Sequence, residues 1–322
     1  MLLNGGFVIF YIERKYFLGC KLLEIAPLNT IDIKLLFREC NFTYQIIKMK
    51  KILLLVLLIS FQFSFTPKEI SWVAIGDSIT YLNEHQNETG NRITKGYMTR
   101  VVEQLPNINY TNQGHNGWTA IKIAEDIDKL GITKADVYTI FLGTNDWWGG
   151  KPLGSFSDYE NNTGNATVNG AFRTIVNKLH SLNASAKIIF ITPMQRVDFV
   201  YINNFKNNAT GSYKAKNGQE LEKFADAIVS IANFEKSVVV DLYHAKGMDH
   251  KHLVNFKRIK DSGTGNYINY PYPEFIDKPF NPTTDEYPYP VEASNITFDG
   301  LHPSDKGYEL ISNKLVKLFK NF

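Results

Sequence analysis

From residue 71 onward, short apolar runs alternate with segments whose apolar residues recur every three or four positions. Residues 72–75, 108–111, 137–142, 187–191 and 238–242 read as strands, the second with the weakest pattern. Residues 95–105, 119–130, 167–182 and 217–234 read as helices, and residues 304–319 close the chain as another. In the 167–182 segment Val168, Phe172, Ile175, Val176 and Leu179 make one stripe. Leu221, Phe224, Ala225, Ile228 and Ile231 do the same in 217–234. Strands apolar on both sides need cover on both faces. The pattern therefore predicts a three-layer α/β/α sandwich with a central parallel sheet, in one domain. In such sheets the chemistry gathers at the carboxyl ends of the strands.

Two segments break the alternation. Residues 149–166 are rich in Gly, Asn and Ser. Residues 245–297 carry Tyr267, Tyr270, Tyr272, Phe275, Phe280, Tyr287 and Tyr289 among prolines. A stretch that long without regular structure inside a domain is either functional or disordered. Both are read as inserts.

The N-terminal part has a different character. Met49-Lys50-Lys51 precedes the apolar run 52–59, a basic and then apolar order that reads as a signal peptide over residues 49–65. The run is short for a membrane span, which needs roughly 20 apolar residues, so a retained anchor is the second reading and no stable span is expected once the signal is cleaved. Residues 1–48 then read as an over-extended N-terminal segment, with one domain at 66–322 and the protein secreted or periplasmic. Cys20 and Cys40, the only cysteines, lie in the upstream segment. The domain therefore has no thiol nucleophile, thiolate metal site or disulfide.

Composition narrows the partners. Thirty-five Lys and Arg against 32 Asp and Glu give a formal charge of +3, with no basic stripe, so nucleic acid is not expected. At 322 residues, 44% of them hydrophobic, the chain can build a full core without a metal or disulfide staple. Asp249-His250-Lys251-His252 lacks a partner set for a metal and reads as a solvated loop. Nothing in the sequence fixes the oligomeric state.

Four polar clusters follow strands or precede the last helix: Gly76-Asp77-Ser78, residues 112–119, Gly143-Thr144-Asn145-Asp146, and Asp299-Gly300-Leu301-His302. The parallel-sheet rule puts the first three on one edge, and the fourth joins them if the long insert folds back. Acyl transfer needs a nucleophile, a base, an orienter for the base and oxyanion donors. Ser78 can be the nucleophile and His302 the base, with Asp299 three residues earlier to orient it. The Ser78 and Gly114 N–H groups and the Asn145 amide can serve as donors. Taken singly, each cluster also reads as a turn or helix cap: Gly-Asp-Ser is a common turn, and Ser304 after His302 is a good N-cap. Asp77 and Asp146 read as structural.

The four clusters, in this order, resemble the blocks of the SGNH (GDSL-type) hydrolase superfamily: Gly-Asp-Ser, Asn-X-Gly, Gly-X-Asn-Asp and Asp-X-X-His, spread over residues 76–302. The resemblance implies a flavodoxin-like sandwich without a cofactor. It also implies Ser78 as nucleophile, Gly114 and Asn145 in the oxyanion hole, and Asp299 and His302 completing a triad. Ile79 replaces the family's common Leu, a volume-conserving change.

His115 and Trp118 beside Gly114, and the tandem Trp147 and Trp148, either line a substrate pocket or pack in loops and core. The favoured substrate is an acylated carbohydrate, from which the enzyme would remove O-acetyl groups. A lysophospholipase or acyl thioesterase is the alternative, and a non-catalytic glycan-binding module the second. Other small esters would suit the same machinery.

Overall fold

The computed structural model describes residue 38, residues 42–54 and residues 67–322, in two compact units, 1–67 and 68–322. In the first unit residues 42–54 are helical, with Ile46, Met49, Ile52 and Leu53 exposed. Much of the predicted signal segment, residues 55–65, lies outside the described residues, as does most of 1–48. Among the described residues no helix is long and apolar enough to cross a membrane.

The second unit is built on five parallel strands: β1 (Ile70–Gly76), β2 (Ile108–Gly114), β3 (Val137–Phe141), β4 (Lys187–Ile191) and β7 (Val238–Val240). Their spatial order is β2-β1-β3-β4-β7, and the short strands β5 (Phe199–Val200) and β6 (Asn208–Ala209) pair antiparallel with each other in a separate sheet. Taken in chain order the parallel strands are one to five, so their sheet has the 2-1-3-4-5 order of flavodoxin-like folds. Alternation within each strand divides the core. Trp72 and Ala74 of β1, Val137 and Phe141 of β3, and Ile189 and Ile191 of β4 enter one core. Val73, Ile75, Tyr138, Ile140, Ile188 and Phe190 enter the other. Successive side chains of a strand point to opposite faces, so a run apolar at every position requires two covered faces.

Helices α2 (Tyr97–Gln104) and α9 (Asp305–Phe319) cover the first face with Tyr97, Met98, Val101, Tyr308, Ile311 and Leu315. Helices α3 (Ala120–Asp126), α6 (Val168–Leu182) and α7 (Leu221–Phe234) cover the second. The expected sandwich is therefore present. Two helices are shorter than the periodicity suggests. Helix α3 gives way to turns after Asp126. Helix α7 begins only at Leu221, because Asn217 and Gly218 adopt positive φ (49° and 73°) and close a tight turn between Lys216 and Gln219.

Both inserts are structured. Within 149–166, Ser155 and Asp158 form a capping box that starts α5 (Phe156–Glu160), and Tyr159 of that helix is fully buried. The 245–297 segment contains α8 (His250–Leu253) and an antiparallel hairpin of β8 (Lys257–Lys260) and β9 (Tyr267–Tyr270). Asp249, expected in a solvated loop, caps α8 by accepting from the Lys251 N–H. Phe275 and Tyr289 of this insert are buried in the core on the α2 and α9 side. A buried ion pair anchors the hairpin: Lys257 Nζ lies 2.7 Å from Asp198 Oδ2, and both side chains are almost wholly enclosed. Lys257 donates a second bond to the Lys278 carbonyl, and Tyr289 donates to the Asp198 carbonyl.

Candidate active site

The carboxyl ends of the three central strands are in register: Gly76 pairs with Gly114 on one side and with Phe141 on the other. The clusters after β1, β2 and β3 therefore start from one edge. Ser78 opens α1 (Ser78–Tyr81), where its N–H has no intrahelical acceptor. Asp77 caps this short helix by accepting from the Ile79 N–H at 3.0 Å. Burial pushes the Asp77 carboxyl up to about 6 against that hydrogen bond.

The fourth cluster reaches the same edge. His302 Nε2 lies 2.9 Å from Ser78 Oγ across 224 residues of sequence. Its Nδ1 lies 2.7 Å from Asp299 Oδ2. The other Asp299 oxygen accepts the backbone N–H groups of Leu301 (3.0 Å) and His302 (2.7 Å), so the carboxylate is fixed by its own turn. That turn requires Gly300, whose φ is +89° and where a Cβ would collide with the Asp198 carbonyl. The imidazole is held by rings on both sides: Phe298 stacks at 5.9 Å and Phe199 meets it edge-on at 5.4 Å. Ser304 also caps α9, accepting from the Gly307 N–H at 3.3 Å. The Ser304 cap and the Asp299–His302–Ser78 contacts coexist, because they use different residues.

The second cluster is tied to the first and to the third by hydrogen bonds between their loops. His115 N–H donates to the Gly76 carbonyl at 2.9 Å. Asn145 Nδ2, on α4 (Thr144–Trp148), donates one N–H to the Trp118 carbonyl at 3.0 Å and retains another. Asp146 is buried and accepts from the first N–H groups of α3, those of Ala120 (2.8 Å) and Ile121 (3.3 Å). Burial pushes the Asp146 carboxyl up to about 6 as well.

Gly114 is placed differently from its expected role. Its N–H donates to Asn112 Oδ1 at 2.8 Å and is therefore not free to meet an oxyanion. Asn112 Nδ2 in turn donates to the Thr80 carbonyl at 3.2 Å and to Glu84 at 3.0 Å. Glycine is required at 114 because a Cβ would run into the Tyr81 nitrogen and the Thr80 carbonyl carbon. Three residues on, Gly117 has φ of +76°, is exposed, and among the described residues has no protein acceptor for its N–H. The Asn116-Gly117 turn dipeptide was the sequence signal for it.

The four proposed substrate contacts divide. His115 and Trp118 are half-buried and stack at 4.4 Å, and burial lowers the His115 imidazole below its usual value. Trp147 is a core residue, 1% exposed, whose indole N–H donates to the Gln219 carbonyl at 2.8 Å, so it cannot stack on a substrate from outside. Trp148 is half-buried and packs against Phe199 and Leu301, next to the His302 wall. Phe199 and Arg196, neither of which belongs to a recognisable sequence block, also bear on the site. Among the described residues no group of three His, Cys, Asp or Glu could hold a metal.

A possible lipase of known structure from Chitinophaga pinensis DSM 2588 is 57% identical, with a TM-score of 0.77 over 79% of this chain and 98% of that one. A Lactobacillus plantarum protein at 18% identity shares the fold, with a TM-score of 0.54 over 80% of this chain and 99% of its own. No curated protein matches the sequence. The pattern of the GDSL-like lipase/acylhydrolase family matches residues 74–310, the span that supplies the sheet, Ser78, Asp299 and His302. The chain belongs to that family of SGNH hydrolases.

Proposed function

We propose that this protein hydrolyses carboxylic esters through an acyl-enzyme on Ser78, and that its substrates are O-acetylated carbohydrates. The observation that carries the reading is the continuous hydrogen-bond chain from Asp299 through His302 to Ser78. Ser78 Oγ attacks the ester carbonyl carbon as its proton passes to His302 Nε2. Asp299 holds the ring orientation and offsets the imidazolium charge. The tetrahedral oxygen is met by the Ser78 N–H and the second N–H of Asn145. The Gly117 N–H, in the loop that Asn145 fastens, takes the part first read for Gly114. Collapse expels the alcohol, which leaves with the proton from His302. Water, activated by the same imidazole, then releases the acid and restores Ser78.

The carbohydrate preference rests on the walls and on the expected export signal, which would place the enzyme outside the cytoplasm among polysaccharides. Trp148, Trp118 and His115 offer half-buried ring surface beside polar loops. In the 245–297 insert the exposed large apolar residues are limited to Ile268, Tyr272 and Val291, unlike the apolar lid of an interfacial lipase. The second reading, an acyl-lipid hydrolase, draws on the relative described as a possible lipase. Acetate release from acetylated xylan or pectin, set against p-nitrophenyl esters of graded length and a lysophospholipid, separates the two. Activity confined to long acyl chains would overturn the carbohydrate reading. A fluorophosphonate probe should label the wild type and not Ser78→Ala, and a wild type that takes no label would remove the nucleophile.

A further inference from the structure

Arg196 lies five residues beyond β4 and is 2% exposed. A buried guanidinium ordinarily has a carboxylate or several carbonyls around it, because burying an unpaired charge is strongly unfavourable. Among the described residues Arg196 has no ion pair and no hydrogen bond, and its Nε is enclosed without a partner. Its contacts with rings are well defined. The guanidinium carbon lies 5.0 Å from the Trp148 ring centroid and 5.6 Å from that of Trp147.

The same side chain lines a small cavity of about 20 Å³, enough for a water-sized polar group, together with Trp147, Tyr243 and His250. Two other polar groups in the wall are already committed. Gln195 bonds the Tyr243 carbonyl (3.0 Å) and the His250 N–H (3.1 Å), and Ser212 bonds the Ala209 carbonyl. The Tyr243 hydroxyl and the His250 ring have no protein hydrogen bond among the described residues. One negative group, the exposed Glu220, also stands in the wall, and Lys216 lies 4.0 Å from the Trp148 centroid on the positive side. Burial pulls the Arg196 guanidinium down to about 10, opposed by Asp299, Asp77 and Asp198 at longer range, so it is charged at neutral pH.

We infer that the Arg196 cavity is a carboxylate-binding subsite, in which one carboxylate oxygen of a ligand enters to meet the guanidinium. Guanidinium and carboxylate match in charge and in planar donor–acceptor geometry. The subsite adjoins the ester site through one layer of side chains: Arg196 stacks on Trp148, Trp148 packs on Phe199 and Leu301, and Phe199 meets His302. Two sources present this chemistry: an acidic sugar of the chain that carries the ester, or a small free carboxylic acid. The first deepens the carbohydrate reading and rests on it. The carboxylate assignment itself does not.

Binding to full-length Ser78→Ala tests this without any hydrolysis, so failure of the subsite and failure of the esterase reading remain distinguishable. Ligand-observed NMR titration would compare glucuronate, galacturonate, acetate, glucose and chloride. Saturable binding of a carboxylate, weakened about tenfold or more by adding Arg196→Gln and less by Arg196→Lys, is the expected result. A uronate binding more tightly than acetate identifies an acidic sugar, whereas equal binding identifies a free acid, and both support the subsite. Binding of glucose or chloride equal to that of the carboxylates would overturn it, as would no saturable carboxylate binding. Carboxylate binding unchanged by Arg196→Gln would also overturn it. Circular dichroism and melting of each variant establish that it is folded.

Discussion

The Asp146 carboxylate accepts the Ala120 N–H at 2.8 Å, so a residue following β3 caps the helix that follows β2. This contact places the Asn145 amide against the loop that carries Trp118, because the two side chains are consecutive on α4. Asp146→Ala should cost about 1–2 kcal/mol of stability, as loss of a helix cap does. It should also lower kcat, while Asp146→Asn keeps an acceptor and loses less. Urea unfolding alongside steady-state kinetics reads both effects.

Removing the Asn145 amide should act on the barrier alone. Asn145→Ala is expected to lower kcat by about 10²–10³-fold with KM little changed, since the donor matters most when charge develops on oxygen. Gly114→Ala should behave in the opposite way. Its Cβ meets the Tyr81 backbone, so it should lower the melting temperature and cost about 1–3 kcal/mol.

The triad should fail as a unit. Ser78→Ala and His302→Ala should each reduce kcat by several orders of magnitude, and the double variant should be no worse than either single one. Additive losses in kcat would mean that the 2.9 Å contact between them is not used in catalysis.

Asp77 gives a pH signature with a definite sign. Its carboxyl titrates near 6 when folded and near 3.8 when unfolded. Between those values the folded protein holds more protons than the unfolded chain, so this group's contribution favours folding at low pH and is lost as pH rises through the window. Asn at this position can still cap α1 and does not titrate. Relative to wild type, Asp77→Asn should therefore gain stability as pH rises from about 4 to about 7, on the order of 3 kcal/mol in total. Denaturant unfolding of both proteins across that range is the measurement.

The Lys257–Asp198 pair ties the insert to the segment that packs against His302. Lys257→Met leaves Asp198 buried and unpaired and should cost about 3–5 kcal/mol. The double variant with Asp198→Asn should recover part of that loss, which thermal unfolding would show.

The sequence by itself determined the sandwich and the catalytic candidates. Apolar runs flanked by 3.6-residue stripes leave little choice but a parallel sheet covered on both faces, and the ends of such strands are where Ser78 and Asn145 had to meet. Short-range chemistry was legible for the same reason: the Asp299 to His302 spacing and the Ser304 cap are properties of a few adjacent residues. Only the tertiary structure decided the rest. The approach of β2 to α1 turns Asn112 toward the Gly114 N–H and leaves Gly117 with the free one. The depth of α4 in the core puts Trp147 inside and Trp148 at the edge. Phe275 and Tyr289 of the aromatic insert join the core, and Lys257 meets Asp198 across 59 residues. Periodicity records which face a residue takes. The carboxylate a buried Lys257 meets, and the charge a buried Arg196 lacks, depend on segments distant in sequence, and local pattern holds no record of them.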